Sequence, residues 1–449
     1  MIDPRHRTWA TSDRFVPRTF IRPFARFAQL EASSGIAILA AAVLALILAN
    51  SPWSETYFSI LGEHVRIEIF EWRFEQSVLH LINDGLMTLF FFVVGLEIKR
   101  EAVLGDLRDP KAVALPVVAA LGGMVVPALI YTAFNGGTDA AHGWGIPMAT
   151  DIAFAVGVVT LLGKRVPSAA KLFLLTVAVA DDIGAIAVIA IFYSGDVRFQ
   201  YLLGAVAGLA LVYAANRVRI RSMMFYVPAA VVIWYLALQS GVHATLTGVA
   251  LGFLTPARPY YRPKEFDERA RAILDQFPTT DVTEEVAIEH AEHEILLLSE
   301  ISAETVAPLN RLEHRLAPWS SFVVIPLFAL ANAGVDFRGV DVIESIGSRV
   351  ALGVALGLIV GKTIGISLFA WLAARLGIGR LASGVNWGHI VGLAAVGGIG
   401  FTVALFVTSL AFEDPATTDL AKTGIFVGSL IAGILGSMLL RAAARKAET

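Results

Sequence analysis

The chain has no cysteine in its 449 residues, which excludes disulfides, thiolate metal centres and thiol nucleophiles together. Charge is the second scarcity. Asp, Glu, Lys and Arg make up 16% of the residues, against about 25% in soluble domains. The formal net charge is only −3, too small an imbalance to attract nucleic acid or an acidic macromolecule. What is present instead is apolar: 56% of the residues are hydrophobic, and the mean hydropathy is +0.68. That composition implies a polytopic membrane protein. The 39 glycines and 18 prolines suit close helix packing and interrupted helices. A long Arg-rich region precedes the first apolar run, which does not fit a cleavable signal.

Hydropathy predicts an all-α architecture of about twelve transmembrane helices. Their extents are 34–50, 78–96, 112–134, 143–163, 171–193, 200–215, 224–239, 241–255, 319–335, 349–374, 388–411 and 423–440. A Gln239-Ser240-Gly241 turn separates the seventh from the eighth. Arg5, Arg7, Arg14, Arg18, Arg22 and Arg26 precede the first span, and alternate loops carry further Lys and Arg. By the positive-inside rule both termini are cytoplasmic, which requires an even count. The expected layout is a cytoplasmic segment 1–33, eight helices over 34–255, a cytoplasmic acidic insertion 256–317, four helices over 318–440 and a cytoplasmic tail 441–449.

Two connections stand out. Val65 to Ile69 and Phe70 to Phe74 each alternate apolar with charged, one step out of register, which predicts a short external β-hairpin at about 62–75. Its open edge would either pair with a second protomer or stay solvated. In the acidic insertion, Glu289, His290, Glu292, His293 and Glu294 have a spacing that hints at metal. A solvated helical face accounts for them better, because no four-ligand set is completed.

The chemistry centres on Asp181 and Asp182, adjacent within the apolar run from Lys171 to Tyr193. They lie about 15 Å along a helix from Lys171, near the midplane of a ~30 Å hydrocarbon core. A charge there costs on the order of 2.5–3.5 kcal/mol, and the two carboxylates repel each other. Such a pair favours binding a proton or a cation. In the fourth span, Pro147 breaks the helix, and Thr150 with Asp151 can cap its restart. In the eleventh, Gly397, Gly398 and Gly400 before Phe401-Thr402 weaken the helix; tight packing is the plainer account of that segment alone. Lys362, deep in the tenth span, requires a carboxylate or the negative ends of half-helices. Glu97, Arg100 and Glu101, with Glu313 and His314, form either a charged funnel mouth or ordinary headgroup-level charges.

These segments together resemble the NhaA sodium/proton antiporter family. The matching stretches are TDIAFAVGV at 150–158, AVADDIGAIAVIAIFY at 178–193, VGLEIKRE at 94–101, GVHATLTGV at 241–249, RLEHRLAPW at 311–319, PLFALANAGV at 326–335, GKTIGISLF at 361–369 and GGIGFTVALF at 397–406. The resemblance implies inverted three-helix repeats over 112–193 and 349–440, an architecture for which this family is itself a standard example. It also implies crossed broken helices four and eleven, and a homodimer held partly by the hairpin. Asp181 and Asp182 match the ion- and proton-binding carboxylates, the ligands of the transported Na+. Lys362 matches the lysine paired with the first of them. Thr150 and Asp151 match the break in helix four, and Asp84 an acidic residue of helix two. Glu97, Arg100, Glu101, Glu313 and His314 match a cytoplasmic pH-response cluster, with His243 tied to the pH profile. The departures are the Arg-rich start and the acidic stretch 257–307. The implied protein lies in a bacterial inner membrane and is not an enzyme. It exchanges cytoplasmic Na+, and also Li+, for external H+, electrogenically and under pH control, with no cofactor. The alternative is an ion-coupled symporter of an organic anion, which lacks the mid-span arginine it would need.

Overall fold

The computed structural model describes residues 33–69, 72–105, 108–220, 222–277, 285–338 and 341–448. The chain is largely helical, with one small two-stranded sheet. We number the elements α1 (Ser33–Ala49), α2 (Ser54–Gly62), β1 (His64–Ile69), β2 (Trp72–Ser77), α3 (Val78–Val103), α4 (Pro110–Asn135), α5 (Ile152–Leu161) and α6 (Ser168–Phe192). There follow α7 (Phe199–Arg217), α8 (Met223–Ser240), α9 (Thr245–Leu254), α10 (Pro263–Gln276), α11 (Glu285–Thr305) and α12 (Pro308–Asn332). The last are α13 (Val342–Gly347), α14 (Arg349–Arg375), α15 (Trp387–Val396), α16 (Phe401–Ala411) and α17 (Pro415–Glu448).

Among the described residues, 8 helices are long and apolar enough to cross a membrane, or 11 if each bent pair is one span. The bent pairs are α1 with α2 (111°), the 3-10 segment Asp139–Met148 with α5 (43°), and α15 with α16 (48°). Gly241, with φ 81°, ends α8 in the left-handed conformation glycine tolerates, at the turn the sequence predicts. It leaves α9 at 10 residues, short of a full crossing. Elsewhere most helices start earlier than expected, by the most at α12, which starts at Pro308 rather than 319.

Contacts divide the chain into two units. One gathers the described residues of 1–87, 109–196 and 320–449. Its centre is the pairing of α4 with α14. Gly353, Gly357, Gly361 and Gly365 recur every fourth residue along α14, so they share one stripe. A Cβ on Gly361 would sit 2.7 Å from Pro127 Cα, and one on Gly365 would collide with the Gly122 carbonyl. The two backbones therefore touch directly, a packing that small residues permit within a bilayer. The π-helical turn Gly357–Gly361 comes immediately before Lys362 and sets that side chain's direction.

The second unit gathers 88–108 and 197–319. Ala205, Val212, Ile233 and Ala237 form the α7–α8 core. Within it, α9 lies against α3 so closely that a Cβ on Gly95 would be 2.9 Å from the Val249 carbonyl. The segment expected as an acidic loop is helical over most of its described length, forming α10, α11 and the first turns of α12. The side chains of Glu289 and His290 lie outside the described residues, as do the arginines before residue 33. No group of three or more metal-ligating side chains occurs among the described residues.

The hairpin is antiparallel, but its second arm runs from Trp72 to Ser77, not 70–74. Arg66 faces Glu75 and Glu68 faces Arg73, while Ile67 faces Phe74. Arg66, Glu68, Arg73 and Glu75 thus share one face, as strand alternation requires. The Arg66–Glu75 ion pair measures 2.6 Å.

Candidate functional site

Within the first unit two chain breaks meet. After the 3-10 segment the backbone is extended through Thr150 and Asp151, then restarts as α5 with Asp151 as its N-cap. After α15 it loosens through Gly397–Gly400 and restarts as α16. The breaks are stitched together: Asp151 N donates to Ile399 O at 2.6 Å, and Thr150 Oγ1 donates to Gly397 O at 2.8 Å. Each contact satisfies a backbone group that the broken helix leaves open, as a low-dielectric interior demands.

Asp151 caps both restarted helices. Its Oδ1 accepts from Phe154 N (3.2 Å), and its Oδ2 from Thr402 N (3.1 Å) and Thr402 Oγ1 (2.5 Å). One carboxylate therefore meets the positive ends of α5 and α16 together. Both of its oxygens are engaged, so it is geometrically a structural anion. Thr402, which the sequence reading left unassigned, completes this cap. Its signal was the position of a hydroxyl residue just past a glycine break, where helix restarts need acceptors and donors.

Lys362 is fully buried, and its Nζ lies 2.5 Å from Asp181 Oδ2 and 3.0 Å from Thr150 Oγ1. The expected lysine–aspartate pair is present, anchored to the break through Thr150. Asp181 Oδ1, also buried, accepts no hydrogen bond among the described residues. Asp182 is 7% exposed, and its charge acts on the Lys362 ammonium too. Adjacent positions on α6 point about 100° apart, so the two carboxylates reach different surroundings. With all three groups ionised, two carboxylates would outnumber one ammonium in an apolar interior. Hard oxygen donors of this kind suit an alkali cation or protons.

The second unit holds the other cluster. Arg100 contacts Glu313 at 2.8 Å and Glu101 at 2.9 Å. Glu97 feels the same three charges, and His314 acts on Glu313. Beside them Lys99 donates to the Phe253 and Thr255 carbonyls at 2.6 and 2.5 Å, closing the C-terminal end of α9. His243 lies beside the opposite end of α9. It precedes the N-terminal end of α9, a helix about 15 Å long. Asp84, in the first unit, pairs with His80 Nε2 at 3.0 Å, a partner the sequence reading missed.

A family model described as Na+/H+ antiporter 1 matches residues 25–440. The chain is 44% identical to the Na(+)/H(+) antiporter NhaA of Oleidesulfovibrio alaskensis over 95% of each protein. It is 44% identical to that of Acidithiobacillus ferrooxidans, over 95% of this chain and 98% of the relative. With that of Wolinella succinogenes the identity is 45% over 91% of each. Crossed breaks, a carboxylate pair against a buried lysine and this similarity over nearly the whole length lead to one assignment: the chain belongs to the Na+/H+ antiporter 1 family.

Proposed function

We propose that this protein exchanges cytoplasmic Na+, and also Li+, for external H+ at Asp181, Asp182 and Lys362. The observation that carries the reading is the buried Lys362–Asp181–Thr150 contact at the crossing of two broken spans. Sodium and protons compete for the same carboxylates, so each loaded form excludes the other. With two protons aboard, on Lys362 and Asp182, the three groups sum to zero formal charge. With sodium aboard and both protons gone, the sum is one negative charge. Each cycle then moves one net charge across the membrane, and the exchange responds to potential. Asp151 keeps the breaks crossed while the site turns from one side to the other, and Thr150 ties Lys362 to that crossing.

The wider reading follows the family pattern. Twelve spans result if α9 is counted with the bent and long helices, arranged as inverted repeats over 112–193 and 349–440. Both termini and the 256–317 insertion face the cytoplasm of a bacterial inner membrane, and the hairpin lies outside, where its edge pairs with a second protomer. The Glu97–Arg100–Glu101–Glu313 cluster, with His314, responds to cytoplasmic pH. Organic-anion symport has no support from the site or from the relatives.

The assay is collapse of a preformed pH gradient in inverted membrane vesicles on adding Na+ or Li+. Wild type should collapse the gradient, and D182N should lose at least about tenfold in rate, since its amide cannot release a proton. Full activity in D182N overturns the proposal.

A further inference from the structure

The ion site leaves the buried carboxylate of Asp84 unused. Asp84 sits in a π-helical turn, Leu81–Leu86, near the hairpin end of α3, and its side chain is only 12% exposed. One turn earlier His80 reaches it at 3.0 Å through Nε2, while 54% of the His80 side chain stays exposed. One end of the pair therefore lies at the protein surface, in the first turn of α3 beside the hairpin, and the other is sequestered. π turns interrupting α-helices recur at functional positions.

Among the described residues no charge besides Asp84 acts on the His80 imidazole, and Glu55 on the packed helix α2 is exposed. The chain arrives from β2 through Ser77, whose hydroxyl accepts from His80 N at 3.1 Å. The packed helix α2 brings Tyr57, whose phenol is donated to Leu330 O at 2.7 Å. The packed helix α12 brings Asn332, which donates to Asn83 Oδ1 at 2.7 Å and to Phe328 O at 3.0 Å. These groups are neutral at ordinary pH, and the charged group acting on the imidazole is Asp84.

We propose that His80 and Asp84 form a second proton-binding pair, apart from Asp181, Asp182 and Lys362. Its charge sets how transport responds to pH on the hairpin side of the membrane. With one proton the pair is neutral, either as imidazolium with carboxylate or as imidazole with carboxylic acid. Losing it changes the charge of the pair by one unit beside a carboxylate that is mostly buried. Histidine is the side chain whose charge ordinarily changes nearest neutrality, and its ring lies at the protein surface while Asp84 does not.

The proposal rests on the exchange reading, so its test has two arms. In proteoliposomes of the full-length protein, hairpin-side pH is varied with the opposite side held constant. H80Q keeps a hydrogen-bond donor for Asp84 but cannot titrate. It should reduce the change in rate across about pH 5.5–7.5 at least threefold, leaving the opposite-side dependence as in wild type. A wild-type hairpin-side profile in H80Q overturns the pair. The second arm needs no transport: the ring-nitrogen NMR signal of His80, identified by its loss in H80Q, is followed with pH in wild type and D84N. A titration midpoint moved by at least about half a unit in D84N is expected. An unmoved midpoint, or no titration at all, also overturns the pair. Absence of exchange in wild type would defeat the exchange reading, and the NMR arm would still decide the pair.

Discussion

At the scale of single residues, the buried contacts make the sharpest tests. Removing one partner of a buried ion pair costs about 3–5 kcal/mol, because the survivor is left charged and dry. K362M should therefore lower the thermal unfolding midpoint markedly, and adding D181N should restore part of it. Equal midpoints for K362M and wild type would contradict the 2.5 Å pair. Thr402 supplies two of the hydrogen bonds to Asp151, one from its backbone and one from its hydroxyl. T402V keeps the size and removes the hydroxyl bond, worth about 1.5–3 kcal/mol to a charged acceptor. T402S should hold near wild type in the same unfolding measurement. The burial of Asp181, Asp182 and Lys362 was legible in the sequence, because all three lie inside long apolar runs. The role of Thr402 was not, since a threonine at that depth costs little and signals little.

At the scale of elements, the α4–α14 contact depends on glycine. G361A would press a methyl against Pro127 and should cost about 1–3 kcal/mol by overpacking. Gly62, where an added Cβ meets nothing within 4 Å, is the control, and G62A should leave the unfolding midpoint nearly unchanged. The loop after α12 carries a pH-dependent tie of another kind. Arg338 donates to both Asp336 oxygens, at 2.9 and 2.7 Å, and holds that carboxyl down at about 2. A depressed carboxyl stabilises the fold above its ordinary pKa of about 3.9, and that contribution disappears as pH falls through the folded value. The stability difference between wild type and D336N should therefore be constant above about pH 5 and shrink toward pH 2. Thermal unfolding across that range is the check, and a difference that grows on acidification would refute the pairing. The hairpin shows how far periodicity reaches: strict alternation revealed both arms, yet the true register runs to Ser77, because the turn position is set by cross-strand pairing.

At the scale of the whole molecule, charge stoichiometry is the quantity to measure. If two protons enter for each sodium leaving, sodium efflux should quicken when the proton-donating side is made electrically positive. An efflux rate indifferent to an imposed potassium diffusion potential would point to one-for-one exchange and sink the two-proton scheme. Membrane class and most spans were readable from hydropathy, because long apolar runs have few alternatives in water. The helices α10 and α11 were not, since a polar segment obeys no hydropathy rule. His243 is tied to the pH profile by the resemblance alone, and it stands before the N-terminal end of α9.

By itself, the sequence determined the apolar solvent this chain requires, the depth of its carboxylates and lysine, and the places where its helices break. These follow from local chemistry: burial cost, proline and glycine backbone, and period. Only the tertiary structure decided which groups meet. It matched Lys362 to Asp181 rather than to a half-helix end, gave Asp151 to two helix N-termini at once, and set His80 against Asp84. Such pairings are formed across more than two hundred residues of chain at Lys362–Thr150, or by one turn of π geometry at His80. Neither a distant contact nor a local change of helical pitch leaves a periodic trace, so packing alone could settle them.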